Sequence, residues 1–300
     1  MAPKGTVVTV GGRSLTLTNL DKVLYPEAGF TKAQVIDYYA RIAPVMVPHL
    51  FGRALTFHRF PNGVDQKGFF EKNCPGHRPD WVPVSIGPGS PPPSSCRIEE
   101  PAALVWAGNQ AAVEIHAPMA LAEDLASPRM VVFDLDPGPP AAMRECATVA
   151  LAVREVLESV GLEGWCKTSG SKGLQLYVPV NGPLTHEHAS SFALAVGQVL
   201  ERQMPERVLT VMTKQLRTAK VFVDWSQNSF HKTTAAVYSL RARPRPTAST
   251  PVTWDEVAAA AEDRVELRFE AADVLARVEE HGDLFAPTLT VRQALPVAKR

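Results

Sequence analysis

MVVFDLDPG, residues 130–138, is the stretch on which the reading of the fold turns. Four apolar residues, Met130 to Phe133, run straight into two acids and a Pro-Gly turn, the pattern of a core strand at its exit. Side chains alternate across a strand, so Asp134 and Asp136 share one face and Leu135 takes the other. Two adjacent carboxylates repel, and each raises the other's pKa. A bound divalent cation removes the conflict, and hard oxygen ligands suit Mg²⁺ or Mn²⁺. The plainer alternative is a strand end with two solvated acids.

The elements around this strand are mixed. Residues 141–160 carry the spacing of an amphipathic helix, CKTSGSKGLQLYVPV (166–180) reads as strand, Gly-rich turn and strand, and 186–203 reads as a second helix. LTVMTK (209–214) and KVFVDWS (220–226) read as strands, the second delivering Asp224 to the end of an apolar run. SFHKTTAAVYSLRARPRP (229–246) is extended and basic, and 254–280 is mostly helical. Towards the N-terminus, TVVTVGGRSLTLT (6–18) alternates around Gly-Gly as a hairpin. Thr31 is an N-cap for a helix reaching Pro44 or Pro48. Residues 53–60 form a strand closed by a turn at PNG (61–63), 87–95 form a loop, 102–112 a short helix and 113–116 a strand. Hairpins and crossovers together favour a largely antiparallel sheet flanked by helices over a doubly wound parallel fold.

The 300 residues, 45% hydrophobic and 21% charged, support a sizeable core and exclude wholesale disorder. No run of 18 apolar residues suggests a membrane span, and MAPKGTVVTVGGRS has no apolar segment of a secretory signal, so the expected location is cytoplasmic. Cys74, Cys96, Cys146 and Cys166 form no CxxC pair and are expected as free thiols; a zinc site would need distant cysteines to converge with a His such as His77. Net charge is zero, but it is segregated: Arg202 to Arg245 holds nine Lys/Arg and two acids, while Trp254 to Asp283 holds ten acids and three Arg. A basic stretch can bind phosphates even when an acidic one cancels it in the sum.

Three acids at the ends of core strands, Asp134, Asp136 and Asp224, supply what phosphoryl transfer needs: charge neutralisation on attacking and leaving oxygens with little covalent chemistry from the protein. TSGSKG (168–173) places Gly170 and Gly173 where backbone N–H groups could face an anion, with Ser169, Ser171 and Lys172 adding hydroxyls and a positive charge. It lacks the GxxxxGK[ST] pattern of a Walker A loop, and its plainer reading is a polar hairpin. Lys214, Arg217, Lys220, Lys232, Arg241 and Arg243 are further candidates for a triphosphate. His116 ends a strand, either as a half-buried hydrogen-bonded His or as a phosphate or sugar contact. Lys22 and Lys32 flank a turn, and Phe69 and Phe70 offer rings to stack unpaired bases, one of the two being expected in the core.

Taken in order, NLDKVLYP, RFPNGVDQKGFFEKN, EIHAP, VVFDLDPG, TSGSKGLQLY, MTKQLRTAKVFVDWSQNS and KTTAAVYSLRARPRP resemble the polymerase domain of bacterial DNA ligase D, a branch of the archaeo-eukaryotic primase superfamily. The resemblance runs from about residue 14 to residue 285. It implies an α+β fold: a primase-type catalytic core with an RRM-like antiparallel sheet plus an N-terminal α/β module. It implies one domain over 1–285, with the module at about 1–115, the core at about 116–250 and C-terminal helices at about 251–285, followed by a tail or linker stub at 286–300. The implied activity is template-directed nucleotide addition to DNA ends and gaps, with ribonucleotide preference and two Mn²⁺ (or Mg²⁺) ions, in non-homologous end joining with Ku and a ligase at the nucleoid.

By motif, Asp134, Asp136 and Asp224 would be the metal ligands. His116, Ser169, Lys172, Arg217, Gln227, Lys232 and Arg241 would contact the incoming NTP or dNTP. Lys22 and Lys32 would hold a downstream 5′-phosphate, and Phe69 and Phe70 would meet the template base or the splayed end. The chain departs from the pattern at His58, where a Lys is expected, and at Gln175, where several relatives carry His. Two other readings of the same residues are a metal-dependent nuclease or phosphoesterase, and a non-catalytic DNA-end-binding module.

Overall fold

The computed structural model describes residues 5–88 and 94–296. The chain folds as two compact units, each drawn from three separate stretches of sequence. The first takes Met1–Pro118, Thr234–Ser249 and Phe269–Asp283; the second takes Met119–Thr233, Thr250–Arg268 and Leu284–Arg300.

In the first unit, strands Thr6–Val10 and Arg13–Leu17 pair antiparallel across the Gly11–Gly12 turn, as the alternation implies. Thr31 caps helix Lys32–Leu50, its hydroxyl accepting from Gln34 N while the Gln34 side chain accepts from Thr31 N. The helix does not stop at a proline: Pro44 and Pro48 both lie inside it. They sit four residues apart on its exposed face with Ala40. The prolines therefore remove their N–H donors on the exposed side of the helix, while Ile42, Ala43, Met46, Val47 and Leu50 stay buried. A four-stranded antiparallel sheet runs in the order Thr234–Ala235, Ala112–Ala117, Thr56–Arg59, Phe69–Glu71. Helix Pro101–Asn109 is apolar nearly throughout and buries Ala102 to Gly108. Tyr38 and Tyr39 are fully enclosed and donate their hydroxyls to the carbonyls of Tyr238 (2.7 Å) and Val113 (2.6 Å).

The second unit is built on a six-stranded sheet, Val208–Leu209, Val221–Asp224, Met130–Pro137, Leu174–Pro179, Trp165–Thr168, Pro251–Val252. Every pairing is antiparallel except that of Val208–Leu209 with Val221–Asp224. Helices Met143–Ser159 and His186–Gln203 cover one face of the central strand. Phe133 meets Phe192 on that face, with ring centroids 6.2 Å apart. The pleat then sends Asp134 and Asp136 to the opposite face. Asn228, fully buried, stitches the end of the Asp224 segment to the central strand: its side chain accepts from Val132 N and donates to Val132 O, both at 2.8 Å, and donates to Trp225 O. Asn228→Ala leaves both Val132 groups unsatisfied, and urea denaturation should show a loss of about 2–4 kcal/mol.

Several expectations are corrected. Of the strand expected at 209–214 only Leu209 is paired, in the two-residue strand Val208–Leu209; Thr210 turns its hydroxyl to Glu201 at 2.5 Å, and Val211 and Met212 are exposed. In 229–246 only Thr234–Ala235 is a strand; the rest winds through turns, with Tyr238 at a positive φ. The helical stretch 254–280 is two helices, Trp254–Ala261 and Ala271–His281, which belong to different units. Cys74 and Cys96 are bonded as a disulfide, and only Cys146 and Cys166 are free. Cys74 N donates to Ser94 O, beside strand Ser94–Cys96, and this brings the two Cα atoms to 4.8 Å, a closeness that a spacing of 22 residues gives no sign of. Phe69 and Phe70 are both exposed, because Phe69–Glu71 is an edge strand open on both faces. Of the loop expected at 87–95, residues 89–93 lie outside the described residues, as do 297–300 of the C-terminal tail. The described part of that tail holds a short helix, Pro287–Thr290, and Gln293 is tied to Asn181 and Glu163. No helix among the described residues is long and apolar enough to cross a membrane.

Candidate active site

In the second unit the three sequence-predicted acids meet. Asp134 lies directly opposite Asp224 in the antiparallel register, and Asp136 follows two residues on along the same face. One carboxylate oxygen from each lies within 4.8 Å of the others. Asp134 is buried, Asp136 exposed and Asp224 half-buried. Burial, then the Asp136 carboxylate and then that of Asp224, push the Asp134 carboxyl up to about 7, against the Gln175 hydrogen bond and the Lys167 ammonium. Asp224 is oriented by Ser226, whose amide and hydroxyl donate to Oδ1 at 3.0 and 2.6 Å.

Two neighbours that the motifs did not single out as ligands complete the floor. Gln175 faces Asp134 across the sheet and donates Nε2 to its Oδ1 at 3.0 Å. Lys167, fully buried, donates Nζ to Gln175 Oε1 at 2.6 Å and lies 5.2 Å from the centre of the Tyr177 ring. The hairpin register pairs Lys167 with Gln175 and Gln175 with Asp134. A lysine and a glutamine at facing positions of one hairpin were the available signal.

The Gly-rich turn lies beside these groups. Gly173 is held so near the central strand that a Cβ there would lie 2.0 Å from the Leu135 carbonyl oxygen. Ser169 Oγ accepts from the amides of Ser171 and Gly173, both at 3.2 Å, so the loop's own hydroxyl takes two of its N–H groups. Lys172 is exposed. Arg217 sits on the 3₁₀ turn Lys214–Arg217, its guanidinium 3.7 Å from the centre of the Phe222 ring, and Nη2 donates to Met212 O. Gln227 lies on the 3₁₀ turn Trp225–Asn228. Arg217 Nε and Gln227 Oε1 are buried polar atoms without a hydrogen-bond partner. Lys232 is exposed, just after that turn.

The remaining candidates belong to the first unit. Glu114 and His116 alternate on strand Ala112–Ala117, and His58 stands opposite Glu114 on Thr56–Arg59. Glu114 is buried and joins three side chains: Oε2 contacts His116 Nε2 at 2.7 Å and His58 Nδ1 at 3.1 Å, and Oε1 accepts from Arg241 Nε at 3.0 Å. Burial works to raise its pKa, but the His116 and His58 hydrogen bonds and the Arg241 charge hold the carboxyl well below the usual range. The E-x-H spacing placed Glu114 and His116 on one face, yet the motif reading passed over the acid. Lys32 and Lys22 are neighbours, Lys32 N donating to Lys22 O at 2.8 Å. Lys32 Nζ donates to Thr18 O at 2.7 Å, and burial followed by the Lys22 and Arg59 charges lowers its pKa to about 8. Phe69 lies under the Arg59 guanidinium, and Phe70 stacks on His58 at 4.0 Å and 13°.

A family model described as "LigD, primase-polymerase domain" matches residues 31–285. The chain belongs to the LigD primase-polymerase family. The "Multifunctional non-homologous end joining protein LigD" of Mycolicibacterium smegmatis is 47% identical over 274 residues, covering 90% of this chain and 35% of that protein. The "Bifunctional non-homologous end joining protein LigD" of Bacillus subtilis is 32% identical over 244 residues, covering 81% of this chain and 39% of that protein. The chain thus spans little more than a third of the length of these LigD relatives. A solved structure, the "Polymerase Domain from Mycobacterium tuberculosis Ligase D in complex with DNA", superposes with a TM-score of 0.86 at 42% identity, covering 92% of this chain and 98% of that one. The fold is accordingly the α+β LigD primase-polymerase fold, a primase-type core on antiparallel sheets. The domain is a DNA nucleotidyltransferase.

Proposed function

We propose that this domain is a template-directed polymerase that fills gaps and extends DNA ends in non-homologous end joining, prefers ribonucleotides, and uses two Mn²⁺ (or Mg²⁺) ions. The observation that carries the reading is the convergence of Asp134, Asp136 and Asp224 within 4.8 Å on a core sheet. The donor set fits hard divalent cations: it is all carboxylate, and the Asp134 carboxyl is pushed up to about 7 by burial and like charge that a cation would relieve. When bound, such ions supply activation of the primer 3′-hydroxyl for in-line attack on the α-phosphate and neutralise charge on the pyrophosphate that leaves.

The chain's own residues orient and receive. Gln175 and Ser226 fix the rotamers of Asp134 and Asp224 before substrate arrives. Arg217 and Gln227 offer unpartnered polar atoms to the nucleotide, and Ser169, Lys172 and Lys232 are assigned to its phosphates. His116 and Arg241, steadied by Glu114, keep the nucleotide-contacting role that the resemblance gives them. Phe69 and Phe70 present rings to an unpaired template base or splayed end. We read 1–285 as the single working domain and 286–300 as a tail or linker stub, acting in the cytoplasm at the nucleoid with Ku and a DNA ligase.

Lys22 and Lys32 are assigned to the 5′-phosphate of a downstream strand. Three cations, Lys22, Lys32 and Arg59, crowd together, and an anion between the lysines relieves them. Lys22→Ala with Lys32→Ala should cut the affinity advantage of a 5′-phosphorylated gap over a 5′-hydroxyl gap by roughly ten- to a hundredfold, read by fluorescence anisotropy; an unchanged advantage places the phosphate elsewhere.

The test of the whole reading is extension of a labelled primer across a short gap bearing a downstream 5′-phosphate, with Mn²⁺, comparing ribo- and deoxynucleotides. Templated addition, stronger with ribonucleotides and lost in Asp136→Ala, is expected. Degradation of the DNA without incorporation would instead indicate a nuclease. Binding that needs the 5′-phosphate, without synthesis under any metal, would leave an end-binding module.

A further inference from the structure

We infer that His58, Glu114 and His116 form a second divalent-cation site, distinct from the acid trio and selective for a borderline metal of the Zn²⁺ class. Two imidazole nitrogens and one carboxylate oxygen converge: Glu114 Oε2 lies 2.7 Å from His116 Nε2 and 3.1 Å from His58 Nδ1, and all three ligand atoms fall within 4.8 Å of one another. Neighbouring vertices of a tetrahedral zinc site with bonds of about 2.0–2.1 Å stand roughly 3.3 Å apart. The carboxylate oxygen therefore needs to draw away by about 0.6 Å from His116 and about 0.2 Å from His58, with the two imidazole nitrogens already within 4.8 Å of each other.

The frame around them is rigid and correctly wired. His58 and Glu114 are cross-strand partners, and Glu114 and His116 are two residues apart on one strand, so adjacent antiparallel strands set all three positions. The second oxygen of the carboxylate, Oε1, accepts from Arg241 Nε at 3.0 Å and from Ala242 N at 2.9 Å. Those bonds lock the carboxylate plane and leave Oε2 as the coordinating atom, the role an outer layer plays at a metal centre. Phe70 stacks on the His58 ring and Phe60 lies beside it, with centroids at 4.0 and 4.3 Å, which fixes the imidazole plane.

The ligands are enclosed without being sealed: the side chains of Glu114, His116 and His58 are 7%, 11% and 19% exposed. A cation can enter from solvent, and three protein ligands leave a coordination position open to water or an oxyanion such as phosphate. Donor chemistry separates the two sites. Imidazole nitrogen favours Zn²⁺, Co²⁺ and Ni²⁺, whereas the all-carboxylate trio favours Mg²⁺ and Mn²⁺. The second imidazole of the site is that of His58.

The experiment is calorimetric titration with Zn²⁺ of the whole chain, of the triple variant Asp134→Asn, Asp136→Asn, Asp224→Asn, and of His58→Lys, which removes one of the two imidazoles. One tight equivalent is expected in the wild type and in the triple variant, with affinity at least tenfold weaker in His58→Lys. Loss of the tight equivalent in the triple variant, or wild-type affinity in His58→Lys, overturns the assignment. Zinc-edge X-ray absorption on the wild type at one equivalent gives a measurement independent of any variant's folding: scattering from two imidazoles is expected, and a shell of oxygens alone overturns the site.

Discussion

Replacing Asp134 by Asn should lower templated incorporation by about a thousandfold while leaving DNA affinity within a few-fold of wild type, because in the proposed function the residue stabilises charge in the reaction rather than holding nucleic acid. The fold should not suffer. Asp134 is buried against two like charges, and its carboxyl is pushed up by that burial and by Asp136 and Asp224. A neutral amide of the same size keeps the contact with Gln175 and removes the repulsion. In metal-free buffer the variant should therefore be as stable as wild type or more stable by about 1 kcal/mol. Gap-filling assays with Mn²⁺, anisotropy and urea denaturation check the three parts. Near-wild-type extension would sink the catalytic assignment; a large loss of stability would mean that Asp134 serves the fold instead.

Gly173→Ala should be damaging for a different reason. The added methyl would stand 2.0 Å from the carbonyl oxygen of Leu135, the residue between Asp134 and Asp136. That carbonyl belongs to the central strand, paired on both sides, and cannot retreat. The turn must lift away instead, prising open the Leu135–Leu174 pairing and shifting Gln175 from Asp134. A stability loss of about 2–4 kcal/mol is expected, with activity down roughly a hundredfold or more, since displacements of about an ångström carry that penalty. Gly182→Ala, with nothing within 4 Å of its added methyl, is the matched control and should be near neutral in both.

What the sequence disclosed was mostly what lies along the chain. The period-two alternation in MVVFDLDPG correctly put Asp134 and Asp136 on one face, and helix His186–Gln203 was legible to its ends. What it concealed lies across the chain. No local pattern says that Asp224 pairs opposite Asp134, that Cys74 meets Cys96, or that Arg241 closes on Glu114 across a separation of 127 residues. Acids ending apolar runs pointed to the trio, and the resemblance assigned it to metal; neither pointed to Lys167 or Glu114, because a buried charge is recognisable only from the partners that satisfy it. The prolines of helix Lys32–Leu50 misled because local chemistry marks them as breakers, and only their common exposed face shows why the helix tolerates them.

The interleaving of the two units has a consequence for synthesis. A ribosome delivers residues 1–118 first, but that unit stays incomplete until strand Thr234–Ala235 and helix Ala271–His281 emerge. At about 5–20 residues per second the wait is on the order of ten to thirty seconds. For the first part of it, until Thr234–Ala235 emerges, strand Ala112–Ala117, carrying Glu114 and His116, has an unpaired edge. The nascent chain is therefore open to mispairing at that edge.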